Sequence, residues 1–240
     1  MGRPTQVTQD SELGPLPTTT EYLTNFTTRL TNPRLHQTTT SYYAWDTPTQ
    51  DYPNVIAHPE GATTSIERDA YGKTLSLLRT GTDGSWQRRY FRYNAQQELC
   101  NRTELESVTT ALGYDAAGNL AWSAGGLPWQ PNGCPDPNDA NLLSRRTTRT
   151  YDQRNRVTAL TFPDGRGDTS YAYTPDGQLQ TLTADNGNGD VVTTSYAYNK
   201  RRMLSAETLQ ASGKMWSLVY QYTAHGNLAS QSYPNAFTIA

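Results

Sequence analysis

At 240 residues the chain is long enough to bury a core, either as one large β domain or as two small ones. A net charge of −2 and an isoelectric point near 5.9 give no electrostatic case for binding nucleic acid or an anionic membrane. Thirty-six Thr and 16 Tyr against a mean hydropathy of −0.76 argue against helices packed on a Leu/Ile/Val core, and the low net charge argues against disorder.

The chain opens on Met1-Gly2-Arg3-Pro4-Thr5-Gln6, which lacks the apolar stretch of a signal peptide. Gly2-Arg3 followed by Thr5-Gln6-Val7-Thr8 reads as the second half of a repeat whose first half is missing. The Thr-rich, partly alternating stretch Thr18–Thr40 predicts strands of a divergent unit. Arg68-Asp69-Ala70-Tyr71-Gly72-Lys73 then shows the first Asp-x-x-Gly spacing, with Arg68 where later copies carry Tyr. Residues 1–90 therefore form a divergent segment beginning mid-repeat.

From residue 91 to 240 the repeat is regular. Units start at Tyr93-Asn94, Tyr114-Asp115, Tyr151-Asp152, Tyr173-Thr174, Tyr198-Asn199 and Tyr222-Thr223, at intervals of 21, 37, 22, 25 and 24 residues. The clearest copies run Tyr114 to Leu120, Tyr173 to Leu179 and Tyr222 to Leu228, with Gly118, Gly177 and Gly226 four residues after the Tyr. The copies at Tyr93, Tyr151 and Tyr198 keep the frame but lack the Gly. The long interval holds an insertion at 127–141, rich in Pro, Gly, Asn and Asp.

Each unit has a direct physical reading. Pairs such as Tyr171/Tyr173, Tyr196/Tyr198 and Tyr220/Tyr222 alternate with small or polar residues, a period of two that sets both rings on one face of a strand. Asp, Asn or Thr next can accept a hydrogen bond from the backbone two residues on, and the Gly supplies the positive φ of a tight, bulged hairpin. Hairpins spaced 20–25 residues apart cannot close a core one at a time, so neighbours must stack as a quasi-one-dimensional β array.

The Tyr-Asp-x-x-Gly-x-Leu frame resembles the RHS/YD-repeat family, as do His58-Pro59-Glu60-Gly61 and Phe162-Pro163-Asp164-Gly165. The resemblance is loose over 1–60 and good from about 61 to 240. It implies an all-β fold of antiparallel hairpins in a curved, twisted ribbon, part of a hollow spiral shell around a toxic C-terminal effector. Known members are bacterial polymorphic toxins, the C components of Tc toxins and, in animals, teneurins. The implied partners are the enclosed toxin domain and the remaining repeats of the parent chain. The implied localisation is bacterial, exported within a larger protein, often through a type VI secretion system. Raw strand edges further predict a homodimer.

No residue is nominated as catalytic, no cofactor or metal site is expected, and no run of residues is apolar enough to span a membrane. His36, His58 and His225 are scattered, without a nucleophile elbow. Asp185-Asn186-Gly187-Asn188-Gly189-Asp190 lacks the spacing and closing Glu of a calcium loop and reads as a hairpin. Arg166-Gly167-Asp168 spells an adhesion tripeptide beside a Pro-Asp-Gly turn. Cys100 and Cys134 are either one disulfide or two unpaired small core residues. Trp45, Trp86, Trp122, Trp129 and Trp216 are read as core fillers in a chain short of aliphatics. Stacking of Trp122, Trp129 or Trp216 on a ligand, in a carbohydrate- or cell-surface-binding module, is the alternative.

Overall fold

The computed structural model describes residues 3–12, 14–44, 49–106, 108–233 and 238–239. Met1, Gly2 and Trp45 lie outside these residues. The strands are β1 (Gln6–Gln9), β2 (Leu16–Leu23), β3 (Thr27–Thr31), β4 (Gln37–Tyr42), β5 (Pro53–Ala57), β6 (Thr63–Arg68), β7 (Thr74–Thr80), β8 (Trp86–Tyr93), β9 (Leu99–Glu104) and β10 (Val108–Tyr114). They continue as β11 (Leu120–Leu127), β12 (Arg146–Tyr151), β13 (Val157–Thr161), β14 (Asp168–Tyr173), β15 (Leu179–Asp185), β16 (Val191–Tyr198), β17 (Leu204–Ala211), β18 (Lys214–Tyr222), β19 (Leu228–Ser232) and β20 (Thr238–Ile239). A single helical turn, α1 (Ala140–Leu143), lies in the insertion and is capped by the Asp139 carboxylate.

By compactness the chain divides into two units, Met1–Thr110 with Pro128–Pro135, and Ala111–Leu127 with Asp136–Ala240. The first 90 residues, irregular in sequence, are as regularly paired as the rest. Within the first unit, β1 through β9 pair in chain order, every pair antiparallel. Within the second, β11 through β20 do the same. Each unit is an open meander of hairpins, as two-residue periodicity and tight turns dictate.

Five of the motif Tyr residues mark a register shift where they end a strand. The pairing slips between Arg92 and Tyr93, Thr150 and Tyr151, Ala172 and Tyr173, Ala197 and Tyr198, and Gln221 and Tyr222. Glu67/Arg68 shows the same slip, so Arg68 occupies a true Tyr position. A bulge at this point adds local twist once per repeat.

Register also separates two faces in β14–β18. Tyr171, Leu182, Thr194, Leu209 and Trp216 form one continuous cross-strand row, while Ser170, Thr183, Thr193, Gln210 and Met215 form the row on the reverse face. Hydroxyls bond across strands on the small-residue face, as between Thr208 and Ser217 at 3.1 Å.

Very little is buried. Ala111, Ala124, Leu127 and Leu142 make the apolar cluster of the second unit, with α1 folded over β11 and Trp122 packed alongside. In the first unit the fully buried side chains are polar: Asn101, Thr103 and Thr109. Among the described residues, the expectation that Trp fills the core holds only for Trp122, which is partly buried against that cluster. Trp86, Trp129 and Trp216 are 60%, 43% and 52% exposed. A strand row without a facing layer has nothing to bury an indole against, which is why aliphatic scarcity did not translate into aromatic burial.

Candidate functional site: the repeat turns and the clasped insertion

The motif residues converge on the turn at one end of each hairpin. In the clearest copy, Asp115 N–H donates to Asn119 O at 2.9 Å and Gly118 N–H to Asp115 O at 3.0 Å. The Asp115 carboxylate accepts from the amides of Ala117 and Asn119, both at 2.9 Å. Asp152 and Asn199 repeat this pattern from the same position. At Thr174 a hydroxyl substitutes, accepting from Gln178 N at 2.9 Å. Gly118, Gly177 and Gly226 have φ of 81°, 97° and 88°.

Where the Gly is missing the backbone does not change. Gln97, Asn155 and Arg202 stand at the Gly position with φ of 66°, 58° and 64°. Asn tolerates this conformation, whereas Gln and Arg hold it at a cost of about 1 kcal/mol or more each.

The Tyr hydroxyls make a contact that the motif alone did not reveal. Tyr151 OH donates to Leu120 O at 2.9 Å, Tyr173 OH to Val157 O at 2.8 Å, Tyr198 OH to Leu179 O at 2.7 Å and Tyr222 OH to Leu204 O at 2.8 Å. In each case the acceptor is the first residue of the preceding unit's return strand. Tyr93 OH donates to Thr74 O at 3.0 Å in the same way. Arg68 preserves the staple with different chemistry, its Nε donating to Pro53 O at 3.3 Å. Burial raises the Tyr93 and Tyr198 phenols above their ordinary value, so each stays a proton donor across the neutral range.

A second tie runs from turn to turn. The side chain just before the return strand reaches the left-handed residue of the next turn, as in Gln178 Nε2 to Arg202 O at 2.8 Å and Asn119 Nδ2 to Asn155 Oδ1 at 3.0 Å. Lys73 Nζ bonds Gln97 O in the same manner. Arg156 instead pairs with Asp152 at 2.6 Å and lies over the Tyr173 ring at 4.2 Å. The Arg156 side chain and backbone N–H hold the Asp152 carboxyl down at about 2, and bonds from Asn119 lower Asp115 likewise.

Cys100 and Cys134 are joined as a disulfide, with Cα atoms 5.3 Å apart. The bond clamps residues 128–135 onto β9. Beneath them Asn101 Nδ2 donates to both Gln130 O and Gly133 O at 2.7 Å, and Thr103 Oγ1 donates to Gln130 O at 2.8 Å. Gln130 N–H donates to Thr109 Oγ1 at 3.0 Å. Trp129 meets Tyr90 edge-on at 5.9 Å.

The remaining sequence candidates resolve into turns and ladders. Asp185–Asp190 is a hairpin, closed by Asn186 N–H to Asp190 O at 2.9 Å. Asp168 of the Arg-Gly-Asp tripeptide accepts from Phe162 N–H at 2.7 Å, which occupies the carboxylate that an adhesion ligand must present. His58 Nε2 pairs with Thr64 Oγ1 at 2.9 Å. Among the described residues no helix is long and apolar enough to cross a membrane.

The fold is an array of antiparallel β-hairpins, with a Tyr bulge and a Tyr-to-carbonyl staple at Tyr93, Tyr151, Tyr173, Tyr198 and Tyr222. Solved structures share it. TcdB2-TccC3 without its hypervariable C-terminal region superposes with a TM-score of 0.50 at 12% identity, over 95% of this chain and 14% of that one. The Photorhabdus luminescens Tc holotoxin pore gives a TM-score of 0.50 at 13% identity, again over 95% of this chain and 14% of that one. This chain thus spans about a seventh of the length of those proteins, and the likeness is one of fold. No family model and no curated protein matches the sequence.

Proposed function

We propose that this chain is a wall segment of an RHS-type toxin shell, a structural element with no catalytic site of its own. Its parent protein encloses a toxic polypeptide and is exported with it, and the segment's partners are that polypeptide and the neighbouring repeats. The observation that carries this reading is surface area. The chain exposes 15,660 Å², against about 10,700 Å² expected of a compact monomer of its mass. A repeat array that buries so little is built to be completed by more of the same wall. The turn ties and Tyr staples make that wall rigid through backbone hydrogen bonds, which need no second layer. Containment asks for nothing more, since no transition state is bound.

Cryo-microscopy of the full-length parent protein tests the proposal. The expected result is a hollow shell with residues 91–233 in its wall and polypeptide density inside. A solid domain without a lumen overturns it. The exposure of Trp86, Trp129 and Trp216 favours a second reading, in which the outer surface of the same array binds carbohydrate; a glycan screen with Trp129→Ala and Trp216→Ala variants decides it.

A further inference from the structure

We infer that Cys134 is a thiol-exchange site, and that attack on it by a small thiol such as glutathione releases residues 128–135 as a strap while leaving the sheet beneath intact. Three observations carry this. The two sulfurs differ in access: Cys100 is 5% exposed, whereas Cys134 lies among the exposed residues Asn132, Gly133 and Cys134. Of the two residues, Cys134 is the one exposed to an incoming thiolate. The leaving sulfur is then Cys100, seated beside Arg92 O at 3.3 Å, where a regained proton has an acceptor waiting.

The surface under the strap is polar. Asn101, Thr103 and Thr109 are 1%, 0% and 0% exposed, and their strap partners are the backbone carbonyls of Gln130 and Gly133 and the amide of Gln130. When the strap lifts, water replaces each of these bonds, so the exposed face loses little. An apolar underside would resist opening and would aggregate once open. Beyond these bonds the strap is held by Pro135, which is buried at its C-terminal end, by Trp129 touching Tyr90 edge-on and by Asn132 accepting from Arg92 at 3.5 Å, so release frees the part N-terminal to Pro135.

The chemistry balances with two thiols. A first thiolate attacks Cys134 Sγ, breaks the Cys100–Cys134 bond and leaves a mixed disulfide on Cys134 with Cys100 as the thiol. A second thiolate attacks the mixed disulfide, giving free Cys134 and oxidised glutathione. The protein gains two electrons and two protons, both supplied by the thiols. If the parent is exported, as proposed above, the bond forms in an oxidising compartment and the strap opens in a reducing one.

The test treats the oxidised protein with reduced glutathione, quenches with acid, and maps both the adduct and the chymotryptic cleavage after Trp129. The expected adduct is on Cys134, and cleavage after Trp129 rises at least tenfold while cuts within β6–β8 stay at their oxidised rate. Cys134→Ser should show the open-strap rate without any thiol. An adduct on Cys100 overturns the inference. So does an unchanged cleavage rate with both thiols alkylated, and so does cleavage that rises equally across β6–β8.

Discussion

Two regions of this molecule are stabilised by opposite means. Around the insertion lie nearly all the fully buried side chains: Leu142, Ala111 and Ala124 in the second unit, Asn101, Thr103 and Thr109 in the first. From β12 to β19 no described residue is buried at all. There, order comes from strand ladders, cross-strand hydroxyl pairs and one Tyr staple per repeat. The lesson is that a repeat can substitute regular hydrogen bonding for a core, provided each hydroxyl finds a backbone carbonyl one unit upstream.

The sharpest test of the contrast is Leu142→Ala. Leu142 is 1% exposed and seals the Ala111/Ala124 cluster, so its truncation should cost about 3 kcal/mol in urea unfolding. Gly113→Ala acts at the same place by overpacking, because an added methyl would overlap the Trp122 indole. It should destabilise by about 1–3 kcal/mol.

Within the array the expected effects are smaller. Tyr173→Phe removes the donor to Val157 O and should cost about 1 kcal/mol; Tyr198→Phe and Tyr222→Phe should each cost the same and add nearly independently. A loss that grows faster than additively would show that the staples act as one network. Gln97→Gly should stabilise by about 1 kcal/mol, since the backbone already sits at φ 66° there.

The smallest effect concerns acid. Asp152 is lowered from its ordinary value near 3.8 to about 2, and Asp115 and Asp176 are lowered in the same direction. Their contribution to stability is present above pH 4 and is lost as pH falls through the folded values toward 2. Thermal melts of the parent and Asp152→Asn should converge across that window and differ above it.

Much of the array was legible beforehand. Tyr114-Asp115 to Leu120 predicts strand, turn and return strand, and that hairpin forms with Gly118 at positive φ. The spacing could not show where the Tyr hydroxyls go, because each target is a backbone carbonyl that leaves no trace in residue type. Nor did it show that Gln97 and Arg202 keep the left-handed turn without Gly, which the neighbouring turn contacts enforce. Trp86, Trp129 and Trp216 depart from expectation for a related reason: scarcity of aliphatics predicts aromatic filling, but the array has almost no interior to fill. Nothing in residue type marks Asn101 and Thr103, because their amide and hydroxyl partners are backbone groups supplied by the folded insertion.

The most direct test of the open-array account is hydroxyl-radical footprinting of the chain with residue-level readout. Trp86, Trp216 and Met215 should be modified rapidly and Trp122 slowly, with Trp216 no better protected than Trp86. Protection of Trp216 to the level of Trp122 would mean that a second layer covers β17 and β18, and would contradict the account.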